Sequence, residues 1–157
     1  MKVILIGAEF EENLSIRYIA GSLLEEGHQV EIVPFNTIRD INTVAEKIAS
    51  SGADLVGLSM VFTARAGEFC QLAREIRKRG YKGHLTAGGH FAAFNAENLL
   101  RDFPEFSSIC RGEGELIVTQ LTNSLSCLSE VPGISWRNND GKIHHNQPVP
   151  KVADIDT

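Results

Sequence analysis

The chain is poor in the residues that build metal centres. Its 157 residues include only three cysteines, and no two of them form a C-x-x-C pair. An odd number of widely separated thiols encodes neither a zinc site nor an iron–sulfur cluster. Cys70 and Cys110 lie in apolar patterns, so we expect buried thiols in a protein of a reducing, cytoplasmic compartment.

Excess charge and long apolar runs are also missing. The formal net charge is −5, and the one short basic run, residues 74–82, fits the exposed face of a helix. No apolar run is long enough to span a membrane, and acidic residues follow the amino-terminal run too closely for a signal peptide. We therefore expect no nucleic acid and no membrane among the partners.

Several common catalytic and nucleotide-binding motifs are absent. The chain contains no G-x-x-x-x-G-K-[ST], and its first strand does not lead into G-x-G-x-x-G. A G-x-S-x-G nucleophile elbow is also missing. Ser59 stands where a phosphoacceptor receiver domain has an aspartate. These absences exclude a P-loop enzyme, a dinucleotide fingerprint and an α/β-hydrolase.

What the chain does contain is a regular alternation of strand and helix patterns. Apolar runs predict strands over 3–7, 29–34, 54–59, 83–87 and 107–111, and helical spacing predicts helices over 14–26, 42–51, 65–79, 95–103 and 113–125. Strict alternation predicts an α/β fold, a doubly wound Rossmann-like (flavodoxin-like) five-stranded parallel sheet of order 2-1-3-4-5. In the first helix, we expect the buried side to consist of Leu14, Tyr18, Ile19, Leu23 and Leu24.

The carboxyl-terminal stretch departs from this alternation. Residues 133–137 and 142–145 predict two strands around the turn signal Asp140-Gly141, a β-hairpin extension. Residues 147–157 show little apolar periodicity and resemble a linker. We therefore predict a domain over 1–128, with a hairpin and linker over 129–157 that lead toward a further domain.

Three loops with small residues follow predicted strands. They are Leu58-Ser59-Met60-Val61, Ala87-Gly88-Gly89-His90 and Arg111-Gly112-Glu113-Gly114-Glu115. In open α/β sheets, ligands bind outside the carboxyl ends of the strands, where glycine allows close approach to the backbone. The three loops therefore predict one ligand crevice.

Each loop also has an ordinary structural explanation. Ser59 either donates a hydrogen bond to a ligand or caps the next helix. Gly88-Gly89 either receives a flat group or makes a tight turn, and His90 either contacts a ligand or is solvated. The glutamates of the third loop suit a helix N-terminus, and their charge argues against phosphate as the ligand there.

The order and spacing of these loops resemble those of cobalamin-binding domains. Ser59-Met60-Val61, separated by residues 62–87 from Gly88-Gly89, resembles the S-x-L and G-G elements. The segment 111–115 resembles the R-G-E-G-E of the amino-terminal domains of cobalamin-dependent radical S-adenosylmethionine proteins. The end of the chain, from 131–137 through 140–143 to 154–156, is similar to the stretch that joins that domain to its radical partner domain.

The resemblance implies a cofactor and the residues that border it. The corrinoid would lie over the carboxyl ends of the strands, with its nucleotide tail beside Ser59 and Gly88-Gly89. The residues implied to border the cobalamin are Leu14, Ser59, Met60, Val61, Phe62, Thr63, Gly88, Gly89, His90, Gly112, Glu113 and Gly114. A 4Fe–4S cluster and S-adenosylmethionine would belong to a radical domain of the same polypeptide, because this chain has no C-x-x-x-C-x-x-C.

One departure from the family pattern concerns the cobalt. Many cobalamin domains carry D-x-H-x-x-G after the first strand, and its histidine ligates the metal. The spacing from Ser59 places that motif on residues 12–17, where Leu14 occupies the histidine position. The implied site therefore lacks a histidine ligand, as is common in the radical subgroup.

The sequence thus predicts a cobalamin-binding module of a radical S-adenosylmethionine enzyme, with methyl transfer as the expected chemistry. By itself the chain would not be a complete enzyme. Two alternatives stay open: a cofactor-free Rossmann-like docking domain, and a flavodoxin-like enzyme for a small anionic ligand.

Overall fold

A computed structural model describes residues 1–9, 13–61 and 63–150 of the chain. Within these residues, seven strands form a single sheet. They are Lys2–Gly7 (β1), Gln29–Pro34 (β2), Leu55–Ser59 (β3), His84–Gly88 (β4), Ser108–Cys110 (β5), Ile134–Arg137 (β6) and Ile143–His145 (β7). The helices are Leu14–Glu25 (α1), Ile41–Ala49 (α2), Ala66–Lys78 (α3), His90–Phe94 (α4), Ala96–Asp102 (α5) and Gly114–Asn123 (α6).

The strand order is β2-β1-β3-β4-β5-β6-β7. The first five strands are parallel, and the antiparallel hairpin β6–β7 extends the sheet beyond β5. The predicted fold, with order 2-1-3-4-5 and a carboxyl-terminal hairpin, is confirmed. Because parallel strands need crossover connections, the helices cover both faces of the sheet.

Two apolar clusters hold the layers together. One lies between the sheet and α2, α3 and α5, and the other lies between the sheet and α1 and α6. Alternate residues of each strand enter opposite clusters, as the two-residue period of a strand requires. In β1, for example, Ile4 and Ile6 belong to the first cluster and Val3 and Leu5 to the second.

The prediction for the buried side of α1 was wrong for three residues. Leu14, Tyr18 and Leu24 are 55%, 62% and 57% exposed, and the buried residues are Ile16, Ala20 and Leu23. Apolar residues stand on more than one side of this helix, and periodicity alone does not choose between the sides. The sheet takes the stripe with the small Ala20 at its centre, which allows close packing.

One helix was not predicted. α4 begins directly after Gly89 and ends at Phe94, before α5. Its five residues are too short to show a helical period, so no pattern marked it. None of the described helices combines the length and the apolar character that crossing a bilayer would require.

Candidate functional site

The first two glycine-bearing loops are direct neighbours at the carboxyl edge of the sheet. Ser59 ends β3 in register with Gly88 at the end of β4. The Met60 N–H then donates to the Gly88 carbonyl at 2.7 Å, which continues the pairing beyond the strands. Since α3 begins only at Ala66, Ser59 is not its N-cap. The structure therefore removes the capping explanation for Ser59.

Gly88 and Gly89 are glycines for different reasons. Gly89 has a φ of +98°, and a Cβ atom there would lie 2.8 Å from the Met60 carbonyl oxygen. The chain itself therefore requires glycine at position 89. Gly88 has no positive φ, and among the described residues its Cβ would meet only the Cys110 Cβ, at an ordinary 3.5 Å. Packing against the described residues does not explain the second glycine.

The third loop, residues 111–115, leads into α6. Glu113 is the N-cap residue, and Gly114 is the first residue of the helix. A Cβ at Gly114 would lie 2.7 Å from Ile19 Cδ1 on α1, and one at Gly112 would lie 3.2 Å from Ile117 Cδ1. These glycines let α1 and α6 close over the end of β5. Gly112 and Glu113 are exposed at the same edge.

The other residues predicted for the site differ in what they present. Leu14 is the first residue of α1 and is more than half exposed, while Thr63 and His90 are exposed and Val61 is half-buried. Met60 is 1% exposed and its side chain packs in the core. At this edge Met60 therefore presents its backbone. Phe62 lies outside the described residues.

One face of the central strands carries only small side chains toward this edge, which was not among the predicted features. On the side of α1 and α6, β3 presents Gly57 and Ser59, β4 presents Thr86 and Gly88, and β5 presents Ser108 and Cys110. The opposite face carries Val56, Leu58, Leu85, Ala87 and Ile109. The signal was in the sequence, as two small residues at alternate positions near the carboxyl end of each of three successive strands.

Hydrogen bonds between β4 and β5 organise the inner part of this small-residue face. The Ser108 hydroxyl donates to Thr86 Oγ1 at 2.8 Å, and the Thr86 hydroxyl donates to the Ser108 carbonyl at 3.0 Å. His84 Nε2 lies 2.8 Å from Ser108 Oγ. Because Ser108 donates its proton to Thr86, its Oγ accepts a hydrogen bond from His84 Nε2.

Burial determines the protonation states of His84 and Cys110 on this face. Burial, helped by the nearby Arg77 charge, lowers the pKa of His84 to about 4. Burial also raises the pKa of the Cys110 thiol to about 11, against a smaller lowering by its hydrogen bond with Thr86. Both groups are therefore neutral at physiological pH, and the face offers no ionic site. A ligand that lies on it therefore meets neutral groups from these two residues.

Two charged residues at the carboxyl edge were not predicted as site residues. Glu9 follows β1, is 11% exposed and forms an ion pair of 3.0 Å with Arg17. Arg65 lies against the Phe35 and Phe69 rings and donates to the Phe35 carbonyl at 2.7 Å. Among the described residues, Glu9 Oε1 and Arg65 Nη2 are buried without a hydrogen-bond partner.

Comparison with known proteins agrees with this geometry. The family model described as the B12 binding domain matches residues 2–122. The chain is 28% identical over 150 residues to an uncharacterized methyltransferase of Pyrococcus horikoshii, covering 91% of this chain and 31% of that protein. It is 27% identical to the anaerobic magnesium-protoporphyrin IX monomethyl ester cyclase of Rubrivivax gelatinosus, covering 96% of this chain and 29% of the cyclase.

A solved structure shows the same fold. The apo, SeMet-labeled cobalamin-dependent S-adenosylmethionine radical enzyme OxsB superposes with a TM-score of 0.75 and 25% identity, over 94% of this chain and 22% of OxsB. This chain thus spans less than a third of each of the three proteins. The predicted resemblance to the cobalamin domains of radical S-adenosylmethionine proteins is confirmed, and because the family model matches most of its length, the chain belongs to the B12-binding domain family.

Proposed function

We propose that this chain binds cobalamin at the carboxyl edge of its sheet, as a module of a radical S-adenosylmethionine enzyme. The observation that carries the proposal is Gly88. Neither its φ nor its neighbours among the described residues require a glycine, so a ligand that lies against the backbone would explain the missing side chain.

The residues of this edge fit such a cofactor. Ser59, Gly88 and the small-residue face would accommodate the flat base of the nucleotide tail between the sheet and helices α1 and α6. Gly112, Glu113 and Gly114 would border the corrin from β5, and Leu14, Val61, Phe62, Thr63 and His90 from the neighbouring loops, with Met60 contributing its backbone. The uncharged face suits a base rather than a phosphate.

Binding would be tested by titration with hydroxocobalamin, followed by removal of free cofactor and an absorbance spectrum. We expect the wild-type chain to retain the corrinoid, and Gly88→Val and Ser59→Leu to weaken binding by roughly 10-fold or more, because each adds several methyl groups to the face. Gly67→Val is the matched control, since Gly67 lies exposed on α3 and no atom of the described residues lies within 4 Å of its would-be Cβ. Wild-type chain that retains no corrinoid would contradict the proposal.

The proposed site holds cobalt without a protein histidine. Leu14 occupies the position of the ligating histidine, and His28 lies at the amino end of β2, 3.1 Å from the Met1 amino group. His84 donates to Ser108 within the sheet. Electron paramagnetic resonance of the reduced, cob(II)alamin-bound protein should show no nitrogen splitting. His90→Ala is the decisive variant: a nitrogen signal that it removes would show that His90 ligates the metal.

The proposal also includes the reaction that a complete enzyme with this module would catalyse. When bound, cobalamin supplies a cobalt centre that carries a methyl group, and we propose methyl transfer because one relative is named a methyltransferase. The cluster and S-adenosylmethionine would be held by a radical domain in the same polypeptide, which accords with the greater length of the relatives. The relative from Rubrivivax gelatinosus is named a cyclase, which is a reaction class other than methyl transfer.

A second candidate is a cofactor-free docking domain. Exposed apolar side chains favour it, since Phe94 is 88% exposed on α4 and Tyr18 is 62% exposed on α1. The same titration separates the two functions. A docking domain would bind no corrinoid, and Gly88→Val would have no effect on it beyond stability.

A further inference from the structure

We propose that Arg111 and Asn146 couple the third loop to the tail segment, residues 146–150, which follows the hairpin. In this arrangement Arg111 is a positioning residue: it holds Gly112–Gly114 in a place that depends on the tail segment, and the tail segment depends on the loop in return. The consequence for cobalamin rests on the proposed function, whereas the coupling itself does not.

Arg111 reaches across the end of the sheet. Its Nη2 donates to the Ile134 carbonyl at 3.2 Å and also to the Asn146 carbonyl. Its backbone N–H donates to the Gly133 carbonyl at 2.7 Å. One residue directly before Gly112 therefore joins the third loop to both the hairpin and the tail segment. Hydrogen bonds from a charged donor are among the stronger ones in a protein.

Asn146 is the matching residue on the tail segment. Its Nδ2 donates to the carbonyls of Leu128 and Val131, each at 2.8 Å, and its Oδ1 accepts from Trp136 Nε1 at 3.0 Å. Its backbone N–H donates to the same Ile134 carbonyl that Arg111 contacts, at 2.9 Å. The backbone N–H of Asn146 thereby fixes the Ile134 carbonyl that Arg111 uses, and its side chain anchors the residue whose own carbonyl Arg111 also contacts.

Apolar packing also joins the third loop to the tail segment. Gly133 has a φ of +82°, and its Cβ position lies 2.8 Å from Ile117 Cδ1 and 3.1 Å from Val149 Cγ2. The same Ile117 methyl group stands 3.2 Å from the Cβ position of Gly112. The Gly133 N–H also donates to the Gln147 carbonyl at 2.7 Å. The loop, α6, the hairpin and the tail segment therefore meet around one side chain.

Residue-resolved hydrogen exchange tests the coupling without any cofactor. Arg111→Lys keeps the charge but loses the planar fork, so we expect the Asn146 amide to exchange about 10-fold faster. In the opposite direction, Asn146→Ala should accelerate exchange of the Arg111 and Ile117 amides, whose acceptors are Gly133 and Glu113. The Phe35 amide, bonded to Gly7 at the far side of the sheet, serves as the reference.

Arg137→Lys is the matched control. Arg137 also donates to two carbonyls, those of Pro104 and Phe106, but at the amino end of β5. An arginine without this coupling would, when substituted, raise exchange throughout the sheet or leave exchange of the Asn146 amide unchanged. If Arg111→Lys leaves the Asn146 amide unchanged, or if Arg137→Lys alters it equally, the coupling is overturned. Urea unfolding of each variant shows whether exchange reports local opening.

Cobalamin provides the second test. Saturating hydroxocobalamin should slow exchange of the Asn146 amide about fivefold in the wild type and have no such effect in Arg111→Lys, because coupling between two sites is reciprocal. Asn146→Ala should weaken cobalamin binding although Asn146 lies outside the proposed contacts. Unchanged affinity would overturn the consequence for the cofactor. A chain that binds no cobalamin contradicts the proposed function alone, and the reciprocal exchange then decides the coupling.

Discussion

At the scale of single residues, Gly88 and Gly89 show that adjacent glycines need not have a common cause. The chain itself requires glycine at position 89, because φ is positive there and a Cβ atom would lie too close to the Met60 carbonyl oxygen. Gly88 has room for a methyl group against Cys110. The fold therefore requires glycine at position 89, whereas the proposed ligand accounts for glycine at position 88.

Alanine substitutions at these two glycines should have different effects on stability. Gly89→Ala should lower the free energy of unfolding by about 1–3 kcal/mol, because the backbone there is strained for any other residue. Gly88→Ala should leave it unchanged or raise it by up to about 1 kcal/mol, since alanine restricts the unfolded chain. Urea denaturation measures both, and equal losses would show that Gly88 is also required by packing.

His84 makes stability depend on pH. Its pKa of about 4 in the folded protein lies below the ordinary 6.5, chiefly because of burial. Between these values the unfolded chain binds more protons, so the free energy of unfolding falls as the pH drops from about 6.5 to about 4. The contribution of neutral His84 to the free energy of unfolding is fully present above about pH 6.5 and is lost below about pH 4. It amounts to roughly 3 kcal/mol.

The variant His84→Gln isolates this effect. Glutamine retains a donor for Ser108 but does not titrate, so the slope of stability against pH should decrease by about one proton in the same window. Thermal or urea unfolding from pH 4 to 7 provides the measurement. An unaltered slope would assign the pH dependence to other groups.

At the scale of elements, α1 illustrates how a helix chooses its buried face. The stripe of Ile16, Ala20 and Leu23 packs on the sheet, whereas Leu14, Tyr18 and Leu24 remain exposed. Leu14 and Tyr18, four residues apart, share an outer face that starts at the carboxyl edge of the sheet. These two side chains are therefore available for a ligand or partner.

Two neighbouring leucines test this assignment. Leu23 is fully buried and Leu24 is 57% exposed. Leu23→Ala should therefore lower the free energy of unfolding by about 2–5 kcal/mol, whereas Leu24→Ala should change it by no more than about 0.5 kcal/mol. Because the substitution is identical, the pair needs no further control, and the reverse order of losses would refute the buried stripe.

Most elements could be predicted from the sequence, and the exceptions share a cause. Strands such as β2 and β3 are continuous or alternating apolar runs, so local pattern suffices. The buried face of α1 and the helix after Gly89 depend on tertiary contacts, which a short pattern does not encode. For the same reason Arg111 was noticed only as part of a motif, since its partners Ile134 and Asn146 are distant in sequence.

The candidate site was predictable only in part. Loops at strand ends can be found from glycine and strand patterns, and the structure brings Ser59 and Gly88 side by side. Whether a side chain points toward the edge or the core cannot be found in this way, as Met60 shows. The small-residue face required the register of three strands to become visible.

At the scale of the whole molecule, the sheet continues across the predicted boundary after residue 128. β6 pairs with β5, and Val131, Ile134 and Ser135 are buried. A chain of residues 1–128 should therefore lose roughly 3–6 kcal/mol of stability from the apolar contacts of Val131 and Ile134 alone. Circular dichroism during urea unfolding measures this. A cooperative transition at the midpoint of the full chain would instead establish 1–128 as an independent unit.

The contacts of Ile19 with Gly114 and of Ile117 with Gly112 have a consequence for rates. On the side of α1 and α6, Thr86, Ser108 and Cys110 are buried, so a ligand that reaches the inner part of the small-residue face requires the two helices to separate. In stopped-flow mixing with excess hydroxocobalamin, the observed association rate should rise with concentration and then level off at the frequency of opening. Ile19→Ala should raise this maximum association rate, because it removes the side chain that packs α1 against Gly114. A single side chain would then limit the rate at which the cofactor binds.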